Sequence, residues 1–441
     1  MTALADDGLA ELDSLPAGWT AGVLGDYIER PEYGYTDSAS DDASGTKFLR
    51  ITDIQGGQVD WVTVPYCKCP PDVLRSKRLL PGDVVVARIG ATTGKSFYIG
   101  TTPDDAVFAS YLIRLRAKRR KLLPRYLYFY MQTDEYWAHI DLHKGDRLKG
   151  GVNIAVLESM PVVIPPVEEQ ARIVQVLDLL QAAVRSESAC AVQATTLGDG
   201  ALAELFSLGL RREPQQETEI GLMPASWRPR PIADLCDIWS GGTPRKAEKA
   251  YWTGDIPWVS GKDLKSASLD DAADHASAAG VAAGSRLAPA DAVLLLVRGM
   301  GLAKDLPVAQ ITRPMAFNQD VKALVSRSTF SGRFLRAAIY AGKERLLRQI
   351  ARSAHGTMTL NLHDIETFEV ACPTDPDEAE QIVAILETIE LKRRHHLRKG
   401  EAFQELLDAL LHGLFSGTTT VDELDLSALP LAPTDAQEGA E

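Results

Sequence analysis

Long hydrophobic runs are missing from this 441-residue chain. No apolar stretch approaches the roughly 20 residues that a membrane-spanning helix needs, so no membrane span is expected. A basic leader is missing as well. The opening "MTALADDGLAELDSLPAGW" carries acids and neither Lys nor Arg, which is not the pattern of a signal peptide. Cysteine is scarce and scattered, at Cys67, Cys69, Cys190, Cys236 and Cys372. The Cys67–Cys69 spacing does not make a paired zinc knuckle, and no second pair completes a site. Reduced structural thiols in a cytoplasmic protein are expected. "HIDLH" sets His139 and His143 at helical i, i+4 spacing but lacks the Glu of a zinc-hydrolase motif. His395 and His396 lie amid Arg and Lys and read as helix surface.

One stretch invites a catalytic reading. "GDVVVARIGATTGKSFYIG", residues 82–100, runs from a hydrophobic strand into a turn that ends Gly94-Lys95-Ser96. A P-loop needs a Gly five residues before that Gly, and Ile89 stands there instead. It must also open a helix, whose N-terminal amides and dipole hold the phosphates. "FYIG" is aromatic and β-branched, so a second strand is expected and the segment reads as a hairpin turn. A nucleotide hydrolase using Lys95 stays as an alternative, and so does a coiled-coil scaffold with no DNA role.

The net charge of −13 argues against nucleic acid only when taken whole. Residues 1–13 hold Asp6, Asp7, Glu11 and Asp13, and residues 421–441 hold Asp422, Glu423, Asp425, Asp435, Glu438 and Glu441, so these ends supply −10 of it. The body between them is close to neutral, with basic spots such as "RLRAKRRK" at 114–121 and "KGDRLKGG" at 144–151. Alternation along "YLIRLRA" predicts Arg114 and Arg116 on the solvent face of a strand.

The chain repeats itself. With a shift of about 208, Trp19 meets Trp227, Phe108 meets Phe317, and "RYL" at 125 meets "RFL" at 333. "VNIAVLESMPVVIP" at 152 meets "LNLHDIETFEVACP" at 360, and "EQARIVQVLDLLQ" at 169 meets "EQIVAILETIELK" at 380. "LLPGDVVVARIG" at 79 meets "LAPADAVLLLVRG" at 287 after a short slip. A period this long means duplicated domains. Each copy reads as strand-rich with some helix, then stops at Pro165-Pro166 or Cys372-Pro373 before a helical segment. Ile173, Leu177, Leu180 and Val184 are spaced 4, 3, 4, and Ile382, Leu386 and Ile389 keep that seam until Arg393. Packing on each unit's own core and pairing of the two seams both remain open. Gly198 and Gly200 predict a break in the first helix. About 25 helical residues span roughly 40 Å, near the ~34 Å of one turn of B-DNA.

"PPVEEQARIVQVLD" at 165–178, "TEIGLMPASW" at 218–227 and "SGGTPRKAEKAYWTGDIPWVSGKDL" at 240–264 stand in the same order as in a known family. The chain resembles the specificity subunit of type I DNA restriction–modification enzymes over nearly its whole length. The resemblance implies an α+β fold: two repeated mixed α/β target recognition domains, each followed by a long helix, the helices pairing as an antiparallel coiled-coil. The expected boundaries are an acidic tail at 1–15, recognition domains at 16–165 and 213–373, helix regions at 166–212 and 374–416, and a second acidic tail at 417–441. It also implies a non-catalytic reader of a split double-stranded DNA target. Two methyltransferase subunits would dock on it and carry S-adenosylmethionine. A further restriction or translocase subunit, where present, would carry ATP and Mg. No cofactor or metal is expected on this chain itself, and no membrane. No Asn-Pro-Pro-Tyr/Phe or Asp-Pro-Pro-Tyr string occurs, since "CPPD" and "IPPV" lack the polar residue before the prolines.

Base edges in the major groove are read by Arg, Lys, Asn, Gln, Ser and Thr on exposed turns, and phosphates by the same types. The first-unit candidates are Lys47, Arg50, Arg88, Thr92, Lys95, Arg147 and Lys149. The second-unit candidates are Thr243, Arg245, Lys246, Lys262, Lys265, Arg298, Lys304, Asn318, Gln319, His355 and Thr357. "RGMGLAK" replaces the first unit's "RIGATTGK", so the two turns are expected to differ in their contacts. Tyr251, Trp252 and Trp258 are expected as core anchors, because a duplex offers no free base face.

Overall fold

The computed structural model describes residues 16–144, 151–352 and 357–424. They fall into two compact units, Met1–Ser188 with Leu397–Glu441, and Ala189–His396. The repeat read from the sequence is also a repeat of backbone registers.

In the first unit, Val84–Ala87 pairs antiparallel with Leu112–Leu115 on one side and Ser96–Tyr98 on the other. A second sheet pairs Thr46–Leu49 parallel with Ala106–Phe108. Thr20–Val23 closes antiparallel on Pro161–Ile164. In the second unit, Val293–Leu296 pairs antiparallel with Val321–Ser326 and Val308–Ile311. Ile256–Val259 pairs parallel with Met315–Phe317, and Arg228–Pro231 closes on Glu369–Cys372. The central strands, VVVA and VLLL, are β-branched or aliphatic and buried throughout, as strands covered on both faces must be.

Each unit ties a long helix to a tryptophan that immediately precedes one strand of its closing pair, Thr20–Val23 or Arg228–Pro231. Trp19 Nε1 donates to Glu169 Oε2 at 3.0 Å, and Trp227 Nε1 donates to Glu378 Oε2 at 3.2 Å. Trp227 is fully buried, and Glu378 also accepts the amide of Leu210 at 2.9 Å. One carboxylate therefore holds three segments of the second unit together.

The long helices span Val167–Leu208 and Pro376–Ser416. The expected break at Gly198 and Gly200 does not occur. A Cβ at Gly198 would lie 3.6 Å from Ile389, so this glycine sits against the other helix, and Gly200 simply continues the helix. The intrinsic penalty of two glycines, ~1 kcal/mol each, is overridden by packing. At Arg393 the apolar seam gives way but the helix continues. Arg393 ion-pairs with Glu390 at 2.7 Å and the helix runs on through a polar stretch to Leu407, Leu410, Leu411 and Leu414.

The helices pair antiparallel within each unit. In the first, Ile173, Leu177 and Leu180 share a buried cluster with Leu407, Leu411 and Leu414. Lys399 Nζ meets Glu187 Oε1 at 2.8 Å, beside Gly400. In the second, Ile382 and Leu386 pack with Leu202 and Phe206, and Ile389 faces Gly198. The seams also join each unit's own core. Tyr126, which is fully buried, packs against Phe415 with the rings tilted 39° and centroids 4.7 Å apart. Val184 stays half-buried.

Candidate nucleic-acid interface

The residues of the apparent phosphate loop form a hairpin turn. The Lys95 amide donates to Thr92 O at 2.9 Å, Thr93 to Gly90 O at 3.2 Å, and Gly94 to Ala87 O at 2.8 Å. Those amides are spent inside the turn, and the strand Ser96–Tyr98 follows instead of a helix. Gly94 has φ +90° and lies against Ile140 and Trp137, so the glycine serves turn geometry and packing. Its carbonyl accepts the Tyr136 hydroxyl. The geometry of a nucleotide cradle is absent here, while Lys95 itself is exposed.

A different corner is built twice. In the first unit the strand Val84–Ala87 ends at Arg88, whose amide donates to Tyr111 O at 3.0 Å and whose carbonyl accepts the Val152 amide at 2.9 Å. In the second unit Val297 makes the same two bonds, to Asp320 O at 2.8 Å and from Leu360 at 2.9 Å. Arg88 therefore corresponds to Val297. The strings "RIGATTGK" and "RGMGLAK" set Arg88 on Arg298, one residue beyond the position that the backbone bonds give it. A glycine completes each corner. A Cβ on Gly34 would lie 2.2 Å from Ala109 O, and one on Gly241 would lie 2.3 Å from Phe317 O. Only hydrogen fits, so the loops 34–35 and 241–243 lie flat on the loops 108–111 and 317–320.

In the second unit this corner gathers polar side chains. Thr243 Oγ1 donates to Gln319 Oε1 at 2.6 Å, and Asn318 Oδ1 accepts the Asp320 amide at 3.1 Å. The Arg298 amide reaches Asp320 O at 3.3 Å, and Arg298 bridges Thr359, two residues past Thr357. Arg298 and Gln319 are exposed and Asn318 is buried, so Asn318 shapes the loop while the other two face outward. Arg245 and Lys246 are exposed on the adjoining loop. His355 lies outside the described residues.

In the first unit Arg88 sits with its guanidinium 4.7 Å from the Tyr33 ring, its Nη1 3.5 Å from Ser110 O, and its Nε shielded without a partner. Arg147 and Lys149 lie outside the described residues. Thr92 is half-buried in the hairpin turn. The remaining candidates do not gather there. Lys47 donates to Val64 O at 2.7 Å and lies over Tyr66, and Arg50 is ion-paired with Asp53 at 2.7 Å. Lys262 pairs with Asp274 at 2.7 Å, whereas Lys265 and Lys304 line a groove against the long helices.

Sequence reasoning missed Ser110 and Tyr111, the latter 55% exposed at the first corner. The match of Phe108 with Phe317 carried the signal, because it places Ser110-Tyr111 on Gln319-Asp320. The solvent-face reading of Arg114 and Arg116 is overturned. Arg114 is 4% exposed and pairs with Glu32 at 2.9 Å, and Arg116 pairs with the buried Asp83 at 2.7 Å. Burial lowers the pKa of the Arg114 guanidinium, and neighbouring Arg116 lowers it further. Trp258 is buried edge-on to Trp252 at 5.0 Å, as expected of core anchors. His139 Nε2 lies 2.9 Å from Val156 O, and among the described residues no cluster of His, Cys, Asp or Glu is arranged to hold a metal.

The duplicated fold with matching corners defines a two-module protein with loops suited to a polar, charged ligand. The chain belongs to the family described as the Type I restriction modification DNA specificity domain, which matches it twice, over residues 34–190 and 224–398. It is 23% identical over 274 residues to the Type I restriction enzyme EcoR124I/EcoR124II specificity subunit of Escherichia coli, across 60% of this chain and 63% of that one. The chain thus spans just under two thirds of that curated relative. Its fold is similar to the S subunit of a type I restriction–modification system from M. genitalium, with TM-score 0.60, 12% identity, and coverage of 91% and 97% of the two chains. A second structure, described as showing complex assembly and conformational transition of the type I R-M system, gives TM-score 0.54 at 19% identity, over 92% and 99%. Among the described residues no helix is long and apolar enough to cross a membrane.

Proposed function

We propose that this chain is the non-catalytic DNA-reading subunit of a type I restriction–modification complex, and that each unit reads one half of a bipartite target. Residues 16–165 and 213–373 serve as the target recognition domains in this reading, with 166–212 and 374–416 as the helical spacer. The observation that carries it is the corner built twice by one backbone pattern, within segments that match a DNA specificity family twice. The two corners share backbone but differ in side chains, Arg88, Ser110 and Tyr111 against Val297, Gln319 and Asp320. Identical scaffolds with different exposed groups suit two different half-sites, because hydrogen bonds to base edges carry the sequence information.

The long helices dock two methyltransferase subunits in this reading. Val192, Leu197 and Leu391 support it, being 64%, 59% and 56% exposed on helix surfaces where polar residues would otherwise be expected. Those partners carry S-adenosylmethionine, a restriction or translocase subunit carries ATP and Mg, and the assembly works on DNA in the cytoplasm.

The test is co-purification with a type I methyltransferase subunit from the same source, followed by DNA binding at increasing salt. Phosphate neutralisation makes log K fall linearly with log salt. The reading expects a stable complex with a steep negative slope and methylation confined to one split sequence. A complex that methylates all DNA alike, or a chain that binds no methyltransferase, contradicts it.

A further inference from the structure

The first unit cages one arginine in aromatic rings, and the second unit leaves that cage open. Arg125 pairs with Asp178 at 2.6 Å, and its guanidinium lies 4.8, 4.8 and 4.7 Å from the rings of Tyr98, Tyr128 and Phe129. Arg333 holds the equivalent place. It pairs with Glu387 at 3.0 Å and Glu380 at 3.2 Å, also on a long helix. Backbone registers fix the match. Leu127 donates to Leu123 O as Leu335 donates to Ser331 O, and Tyr98 lies opposite Val84 as Gln310 lies opposite Val293. Tyr98, Tyr128 and Phe129 therefore correspond to Gln310, Arg336 and Ala337.

Losing three rings leaves a cavity of about 250 Å³, lined in part by Arg333, Arg336, Gln310 and Arg394. Arg336 also lines an adjoining groove of about 710 Å³, together with Lys265 and Lys304. Arg336 stands out in this setting. Its Nε is shielded from solvent without a hydrogen-bond partner, and it makes no ion pair among the described residues. Its guanidinium lies 5.0 Å from the Tyr340 ring. Nearby carboxylates are engaged elsewhere: Glu387 by Arg333, Glu390 by Arg393 and Arg394, and Asp305 by Lys343 and the Tyr340 hydroxyl. The same fold packs this position with Tyr128, so the scaffold does not require a cation there. A shielded donor without an acceptor is costly. The planar fork of a guanidinium matches the oxygens of a phosphate or carboxylate, and Lys265 and Lys304, neither in an ion pair among the described residues, favour the more highly charged of these.

We propose that the second unit carries a phosphate-binding site, with Arg336 as its central donor and Lys265 and Lys304 along its groove. Two sources present that chemistry, a DNA backbone phosphate and a free phosphorylated small molecule. The site does not rest on the DNA-reading role, because inorganic phosphate probes it without DNA.

Calorimetric titration of inorganic phosphate into the full chain, at ionic strength held constant with chloride, tests it. Saturable binding is expected, weakened about tenfold or more in Arg336→Gln, which removes the fork but keeps a polar side chain. The triple variant Gln310→Tyr/Arg336→Tyr/Ala337→Phe rebuilds the first unit's packing and is expected to fold without binding phosphate. A DNA source lowers the slope of log K against log salt by about one in Arg336→Gln. A free source leaves that slope unchanged while glycerol phosphate competes with phosphate. No saturable phosphate heat, or equal heat in wild type and Arg336→Gln, overturns the proposal. So does acetate binding as well as phosphate, since a carboxylate would then be the ligand.

Discussion

Arg114 and Cys236 show how burial decides what a side chain is for. Arg114 looked available in the sequence because it alternates along a strand, yet the strand Leu112–Leu115 is covered on both faces. Alternation cannot distinguish an exposed face from one closed by Glu32 and the carbonyls of Arg78 and Ser76. Glu32→Ala removes the carboxylate from a buried guanidinium and is expected to lower stability by about 2 kcal/mol, below the range for fully buried pairs because Glu32 is itself partly exposed. Urea denaturation followed by circular dichroism reads this, and an unchanged midpoint would show that the carbonyls alone satisfy Arg114. Burial pushes the thiols of Cys67, Cys236 and Cys372 up to about 12. The thiolate is the reactive form. At pH 8 a maleimide is therefore expected to label these three far more slowly in native buffer than in denaturant, as peptide mass mapping can show.

At the scale of elements, the hairpin at 84–98 and the two long helices were legible, and the continuity of the first helix was not. Aromatic and β-branched residues after Ser96 rule out a helix locally. Gly198 and Gly200 weaken one locally, but neighbouring turns and the partner helix override them. Gly200 meets nothing within 4 Å of its would-be Cβ. Gly200→Ala is therefore expected to raise stability by about 0.5–1 kcal/mol, seen as a higher Tm in a reversible melt. A fall in Tm would mean that the helix bends at this residue. Glu378→Gln probes a junction of elements. Trp227 and Leu210 donate to different oxygens of Glu378, and the amide keeps only one acceptor while turning its NH2 against the other donor, so a loss of about 2–3 kcal/mol is expected. Loss of less than half that would place the strength of the junction in Trp227 packing instead.

At the scale of the whole molecule, the internal repeat was the strongest signal in the sequence, because duplicated landmarks in fixed order need no propensity argument. The candidate corner was only half legible. Thr243, Arg298, Asn318 and Gln319 were found as polar residues near glycines, whereas Ser110 and Tyr111 needed the backbone register. Lys47, Arg50 and Lys262 look identical to DNA-contacting residues in sequence, and only three-dimensional placement shows that each already holds a partner. Under the proposed function, two units with one backbone and different side chains at their corners make a specific demand on the DNA. Changing one corner should alter one half of the target.

Modified-base sequencing of DNA methylated by the complex, with wild type compared to Arg298→Ala/Gln319→Ala, tests that demand most directly. Each lost base-edge contact is worth about 1–3 kcal/mol of discrimination. The account predicts a motif with one half relaxed and the other half, and the spacing between them, intact. Equal relaxation of both halves, or an unchanged motif with full methylation, would contradict it.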